Sequence, residues 1–180
     1  MLETKEALGE QAIYHVISRG NNKIKVFYVG HDYLKYVTNM TKNKQKYKFL
    51  LLAYALMPNH IHLMILTKKI GDLSHIMNSL SLSYSKWHNR RYGCVGHVWQ
   101  GRYKGRIIKD DNDLLSCMAY IEMNPVRAGL VDNPEAYKWS SCYERFTKTK
   151  SQLIDFHPVY LELSSDEQKR RKAYYEIMFR

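Results

Sequence analysis

Apolar and polar positions alternate from Ala12 to Ser18, with Tyr14 and His15 embedded, and the run closes on Arg19-Gly20-Asn21-Asn22; this predicts a strand and then a turn. Asp32 to Tyr47 reads as a helix with Leu34, Val37 and Met40 on one stripe. Phe49 to Met57 is continuously apolar and fits a strand buried on both faces. Pro58-Asn59 breaks it, and His60 to Thr67 follows as a second strand, which makes a hairpin. Leu73, Ile76, Met77, Leu80, Tyr84 and Trp87 then recur at helical spacing until Gly93. Val98 to Ile108 reads as extended, interrupted at Gly101 and Gly105. Asp111 to Met123 reads as a helix with a capping start, closed by Pro125. Ser165-Asp166-Glu167-Gln168 matches a capping box opening an amphipathic helix to Met178. The order β-α-β-β-α-β-α plus a helical tail predicts an α+β fold around an antiparallel sheet.

A chain of 180 residues with 45% hydrophobic and 25% charged positions can bury a core of its own and is not of disordered composition. The run from Phe49 to Met57 is too short to span a bilayer, and the first residues lack a signal-peptide pattern. Three cysteines without a CxxC pair fit reduced thiols in a cytosol. The net charge of +11 favours a polyanionic partner. Its distribution sharpens that expectation. Between Leu82 and Lys109 the chain carries Lys86, Arg90, Arg91, Arg102, Lys104, Arg106 and Lys109 with no acidic residue. Tyr84, Trp87, Tyr92, Trp99 and Tyr103 are interleaved with them. Cations for phosphates and rings for bases are what a single-stranded nucleic acid groove needs. Lys35 to Lys48 is a second basic run without comparable ring density.

Candidate chemistry begins with His60-Ile61-His62. Residues two apart on a strand share a face, so both imidazoles project together and could bind one divalent cation; ordinary hydrogen-bonded histidines would show the same spacing. On the helix from Asp111, Leu114, Met118 and Ile121 form the core stripe, while Tyr120 and Asn124 lie together at its edge. A phenol and an amide oxygen presented jointly could serve as nucleophile and third ligand, or be a boundary tyrosine and a helix-end residue.

Several ordered segments then carry a resemblance. Leu56-Met57-Pro58-Asn59-His60-Ile61-His62-Leu63 resembles the His-hydrophobic-His motif of HUH single-strand DNA endonucleases. The segment from Tyr120 to Gly129 resembles the catalytic-tyrosine helix of their single-tyrosine transposase branch. Tyr14-His15-Val16, Ser18-Arg19-Gly20, Gly96 to Tyr103 and Trp139-Ser140-Ser141 are further matches. Together they are most similar to REP-associated tyrosine transposases.

The resemblance implies a ferredoxin-like antiparallel sheet with helices packed on one side of it. It implies a transposase domain over residues 1–146 and a C-terminal helical extension over 147–180. It implies Tyr120 as nucleophile and His60 and His62 as ligands of Mg²⁺ or Mn²⁺. Asn124 stands as third ligand where insertion-sequence relatives carry a glutamine. The implied partner is single-stranded or hairpin DNA, including palindromic repeats, bound by Arg19, Lys86, Arg90, Arg91, Trp99, Arg102, Tyr103, Lys104 and Arg106. The implied reaction is strand cleavage and rejoining through a 5′-phosphotyrosine, without ATP, by a cytosolic monomer or homodimer. A non-catalytic nucleic-acid-binding module and an RNA-processing nuclease stay open as alternatives.

Overall fold

The computed structural model describes residues 11–69, 71–147 and 153–180. The N-terminal residues read above for a signal peptide fall largely outside them, as do residues 148–152, at the start of the expected extension.

Four strands, β1 (Ala12–Arg19), β2 (Leu50–Met57), β3 (His60–Thr67) and β4 (Lys104–Ile107), form one antiparallel sheet in the order β2-β3-β1-β4. Helices α1 (Gly30–Tyr47) and α2 (Asp72–Tyr92) complete the β-α-β-β-α-β order of a ferredoxin-like fold. A third long helix, α3 (Asp111–Arg127), and the shorter α4 (Ser141–Phe146), α5 (Pro158–Leu161) and α6 (Glu167–Met178) follow.

Helices cover both faces of the sheet, not one. β2 is buried at every position after Leu50, and an apolar strand of this kind needs a packed layer on each side. Tyr14, Val16, Ile61, Leu63 and Ile65 face α1 and α2, in a core shared with Tyr36, Met40, Ile76 and Leu80. Leu52, Ala53, Ala55 and Met64 face α3, in a core shared with Leu114, Met118, Ile121, Tyr160 and Tyr174. Residues of α5 and α6 are thus part of the layer that holds α3.

Three helices depart locally from the expected pattern. In α1 the buried face is carried by Tyr33, Tyr36 and Met40, while Leu34 is half exposed. Tyr33 and Tyr36 stack and edge against Phe27, so their rings outweigh a leucine in setting which face turns inward. The helix also starts earlier than Asp32, because that carboxylate caps it from inside by accepting from the Tyr28 and Val29 amides. In α3 the helix continues past Pro125 to Arg127. Proline has no N–H for the Ile121 carbonyl, and the Asn124 side-chain amide lies 3.4 Å from that oxygen while donating to Tyr120 O at 2.8 Å. At α6 the cap is Asp166, one residue later than Ser165, accepting from Lys169 N.

Of the stretch expected to be extended, only β4 is a strand. Residues 98–103 form a loop tied to the end of β1 by a Gly20–Trp99 bridge, with Gly101 turning through a left-handed φ of 66°. Among the described residues no helix is long and apolar enough to cross a membrane, and Cys94, Cys117 and Cys142 are unpaired.

Candidate active site

The strand register decides which side chains meet. Ile17 pairs with His62 and Arg19 with His60 across β1 and β3, so His60 and His62 emerge together on the α3 face while Ile61 is buried beneath α1 and α2. A one-residue slip would send both histidines into the opposite core. Their ring centroids lie 5.0 Å apart. On α3, burial of Leu114, Met118 and Ile121 leaves Tyr120 at the helix edge, its ring 5.9 Å from His62 and 42% exposed. The Arg127 guanidinium lies 4.9 Å from the Tyr120 ring centroid. Asn124 spends its amide N–H₂ on carbonyls of its own helix, which leaves Oδ1 as the group it can offer.

A third histidine belongs to this cluster. His15 Nε2 lies 2.9 Å from His62 Nδ1, the two rings stack at 5.2 Å, and Tyr120 stands edge-on to His15 at 5.9 Å. The contact bridges 47 positions of sequence. The strand alternation puts His15 on the face of Ile17 and Arg19, but only the β1–β3 pairing shows that this face is also that of His62.

All three imidazoles are held neutral at neutral pH. Burial, then the Arg19 charge, lowers His60 to about 4. Burial, then His60, His15 and Arg19, lowers His62 to about 3. Burial, then Arg106, lowers His15 to about 4, with Asp113 opposing. The tautomer of His60 follows from its neighbour: Asn59 donates its amide to Lys23 O, so its Oδ1 accepts from His60 Nδ1–H at 2.7 Å and leaves Nε2 as a lone pair. Depressed histidines refuse protons that the unfolded chain accepts below about 6.5. Stability should therefore fall as pH drops from about 6.5 towards 4, which urea unfolding at pH 7 and pH 5 would register; equal midpoints would mean that these rings protonate freely in the folded protein.

The donor set is mixed: imidazole nitrogens are borderline ligands, and the Asn124 amide oxygen is of the kind that hard divalent cations prefer. Neutral His60 and His62 with the Asn124 oxygen could hold one in part, and water or phosphate oxygens would complete its shell, as Mg²⁺ and Mn²⁺ accept. Among the described residues no group of three or more His, Cys, Asp or Glu side chains is arranged to hold a metal without such help.

The basic, ring-rich segment separates into free and committed residues. Arg19, Lys86, Arg90, Arg102 and Lys104 are exposed. Arg102, Tyr103 and Lys86 line two adjoining cavities of about 710 and 680 Å³ between α2 and the 96–103 loop, floored by Ser81 and Asn78. Trp99, expected to stack on bases, is instead a core residue, 7% exposed and packed against Tyr36 and Tyr84. The Gly20–Trp99 bridge draws it inward. Arg106, expected on phosphate, already makes two 2.8 Å bonds to Asp113. Arg91 pairs with buried Asp32 at 3.4 Å and lies over the Trp87 and Tyr92 rings. Tyr103 is half buried, with its hydroxyl 3.2 Å from Ser74 Oγ. Trp99→Ala should accordingly cost about 3–5 kcal/mol of stability by emptying a core position. An unchanged unfolding midpoint with weakened DNA binding would restore the stacking role.

Comparison with known proteins bears on the family and the fold. Residues 9–124 match the family model described as IS200-like transposase. A Haemophilus influenzae protein described as a REP-associated tyrosine transposase is 27% identical over 107 residues, 54% of this chain; the match spans 61% of that relative's length. A REP-associated tyrosine transposase solved with a REP hairpin shares the fold, with a TM-score of 0.62 over 82% of this chain and 89% of that one, at 19% identity.

Proposed function

The chain belongs to the IS200-like transposase family, and from that premise we propose that it cuts and rejoins single-stranded DNA, with Tyr120 as the nucleophile and His60, His62 and Asn124 as the metal-holding set. The observation that carries this reading is the meeting of the exposed Tyr120 ring with His62, which stands beside His60 on one face, from elements nearly sixty residues apart. Tyr120 Oη would attack the scissile phosphorus, giving up its proton, while the P–O3′ bond breaks and the departing 3′ oxygen gains one. The product is a 5′-phosphotyrosine and a free 3′-hydroxyl. Because the phosphodiester energy stays in the covalent bond, a second 3′-hydroxyl can reverse the step without ATP. Bound Mg²⁺ or Mn²⁺ would supply Lewis-acid withdrawal of charge from the phosphate. Arg127 beside the phenol and Arg19 beside His60 put positive charge where that phosphate must enter.

Hairpin DNA is the proposed substrate form, in keeping with the REP hairpin held by the structural neighbour, and the cytosol is the proposed site of action. The flanking strand would run through the groove lined by Arg102 and Lys86. Arg102→Ala should flatten the dependence of log K on log salt by about 0.7, one single-strand phosphate contact. Arg106→Ala should change that slope little, since Asp113 already matches its charge. A slope lost in Arg106→Ala and kept in Arg102→Ala would move the strand to the other side of β4.

Labelled hairpin DNA on a denaturing gel tests the proposal. With Mn²⁺ we expect a strand fragment bound to protein, and none after chelation or in His60→Ala. Cleavage without a protein-bound fragment would indicate a hydrolytic nuclease. Binding with neither would indicate a binding module.

A further inference from the structure

We infer that His15 is a positioning residue for His62: by accepting a hydrogen bond at Nε2, it holds His62 in the tautomer whose Nδ1 is protonated and whose Nε2 keeps its lone pair. The purpose of this contact rests on the metal-holding role proposed for His60 and His62; the contact itself does not.

Two nitrogens 2.9 Å apart share a single proton, so one ring donates and the other accepts. If His15 donated, His62 would carry its own proton on Nε2 and could offer no lone pair there. If His62 donates, both strand histidines keep an unprotonated Nε2, on rings whose centroids are 5.0 Å apart. The same arrangement is already imposed on His60, whose Nδ1–H is taken by Asn59 Oδ1 at 2.7 Å. Each of the paired imidazoles thus has its own acceptor, one from the β2–β3 turn and one from β1.

His15 is well placed for this. It is 7% exposed, so water does not compete for the bond. Its ring is nearly parallel to that of His62, at 21°, which fixes the plane as well as the proton. Tyr120 packs edge-on against both rings, at 5.9 Å from each, so a change in the orientation of His62 would also shift the wall against which Tyr120 rests. A partner of this type typically changes metal affinity by about 10–100-fold when it is removed.

The test begins with metal-free, DNA-free protein labelled with ¹⁵N. Long-range ¹H–¹⁵N spectra at pH 7.5 should show His62 protonated at Nδ1 in the wild type, and losing that preference in His15→Phe, which keeps a ring but no acceptor. Titration with Mn²⁺ alone should show affinity about 10–100-fold weaker in His15→Phe. His15→Gln, whose Oε1 can take the same proton, should recover most of it. A wild-type His62 protonated at Nε2 would overturn the inference, as would equal Mn²⁺ affinity in all three proteins. Wild-type protein that takes up no Mn²⁺ would count against the metal-holding role, and the wild-type tautomer alone would then decide the present inference: Nδ1–H upholds it and Nε2–H overturns it. That spectrum needs no variant, so a His15→Phe protein that fails to fold does not block the decision.

Discussion

Tyr120→Phe should form no covalent adduct with hairpin DNA while binding that DNA much as the wild type does. The substitution deletes one oxygen. The ring keeps its edge contacts with His15 and His62 and its place beside Arg127, and the buried stripe of α3 is untouched. Removing a nucleophile abolishes the covalent step outright, whereas affinity rests on phosphate and base contacts elsewhere. Among the described residues Tyr120 is the tyrosine whose ring meets the strand histidines, so no neighbour is placed to substitute. Gel shift on labelled hairpin, alongside a denaturing gel, separates the two properties. A Phe variant that still forms adduct would remove Tyr120 from the reaction.

Arg145→Ala should be the most damaging single change to stability away from the site. Arg145 and Glu122 are both fully buried and paired at 3.2 Å, with Ser141 Oγ donating to the same carboxylate oxygen at 2.6 Å. The guanidinium also donates to Leu52 O and lies 4.5 Å from the Tyr160 ring centroid and 5.3 Å from that of Tyr174. It therefore ties together β2, α3, α4 and the C-terminal helices. Removing it strands the Glu122 carboxylate in the core, at a cost of about 3–5 kcal/mol. Glu167→Ala breaks a surface pair on α6 and should cost no more than about 0.5 kcal/mol. Urea unfolding of both variants makes the comparison. A small loss in Arg145→Ala would mean that Glu122 takes up a proton or finds water when its partner goes. Because Glu122 sits two positions from Tyr120, this pair also helps to hold the helix that carries Tyr120 against the sheet.

Periodic segments were the legible part of this chain. The apolar run of β2, the helical spacing of α2 and the stripe of α3 each follow from local pattern, and with them the facing of His60 with His62 and of Tyr120 with Asn124. What local pattern does not carry is pairing between distant elements. His15 reaches His62 only through the β1–β3 register, and Glu122 meets Arg145 only because α4 folds back onto α3. Arg106 looked like a free cation because its partner, Asp113, lies seven residues on, past the end of the basic run. Residues 94–103 have no period at all, so neither the burial of Trp99 nor the turn at Gly101 could be read from spacing. Helix α3 outlasting Pro125 is a local effect, but it depends on the side-chain amide of Asn124 lying near the carbonyl that proline cannot serve.

The most direct measurement is the chemical address of the DNA. Hairpin DNA would be incubated with the wild-type protein and Mn²⁺, the adduct denatured, digested with trypsin and nuclease, and the nucleotide-bearing peptide sequenced by mass spectrometry. Cleavage after Lys109 and Arg127 releases residues 110–127, in which Tyr120 is the sole tyrosine, so the assignment is unambiguous. A 5′-nucleotide phosphate on that peptide, at Tyr120, is the expected result. A nucleotide on any other peptide, or cleaved DNA with every tyrosine unmodified, would contradict it.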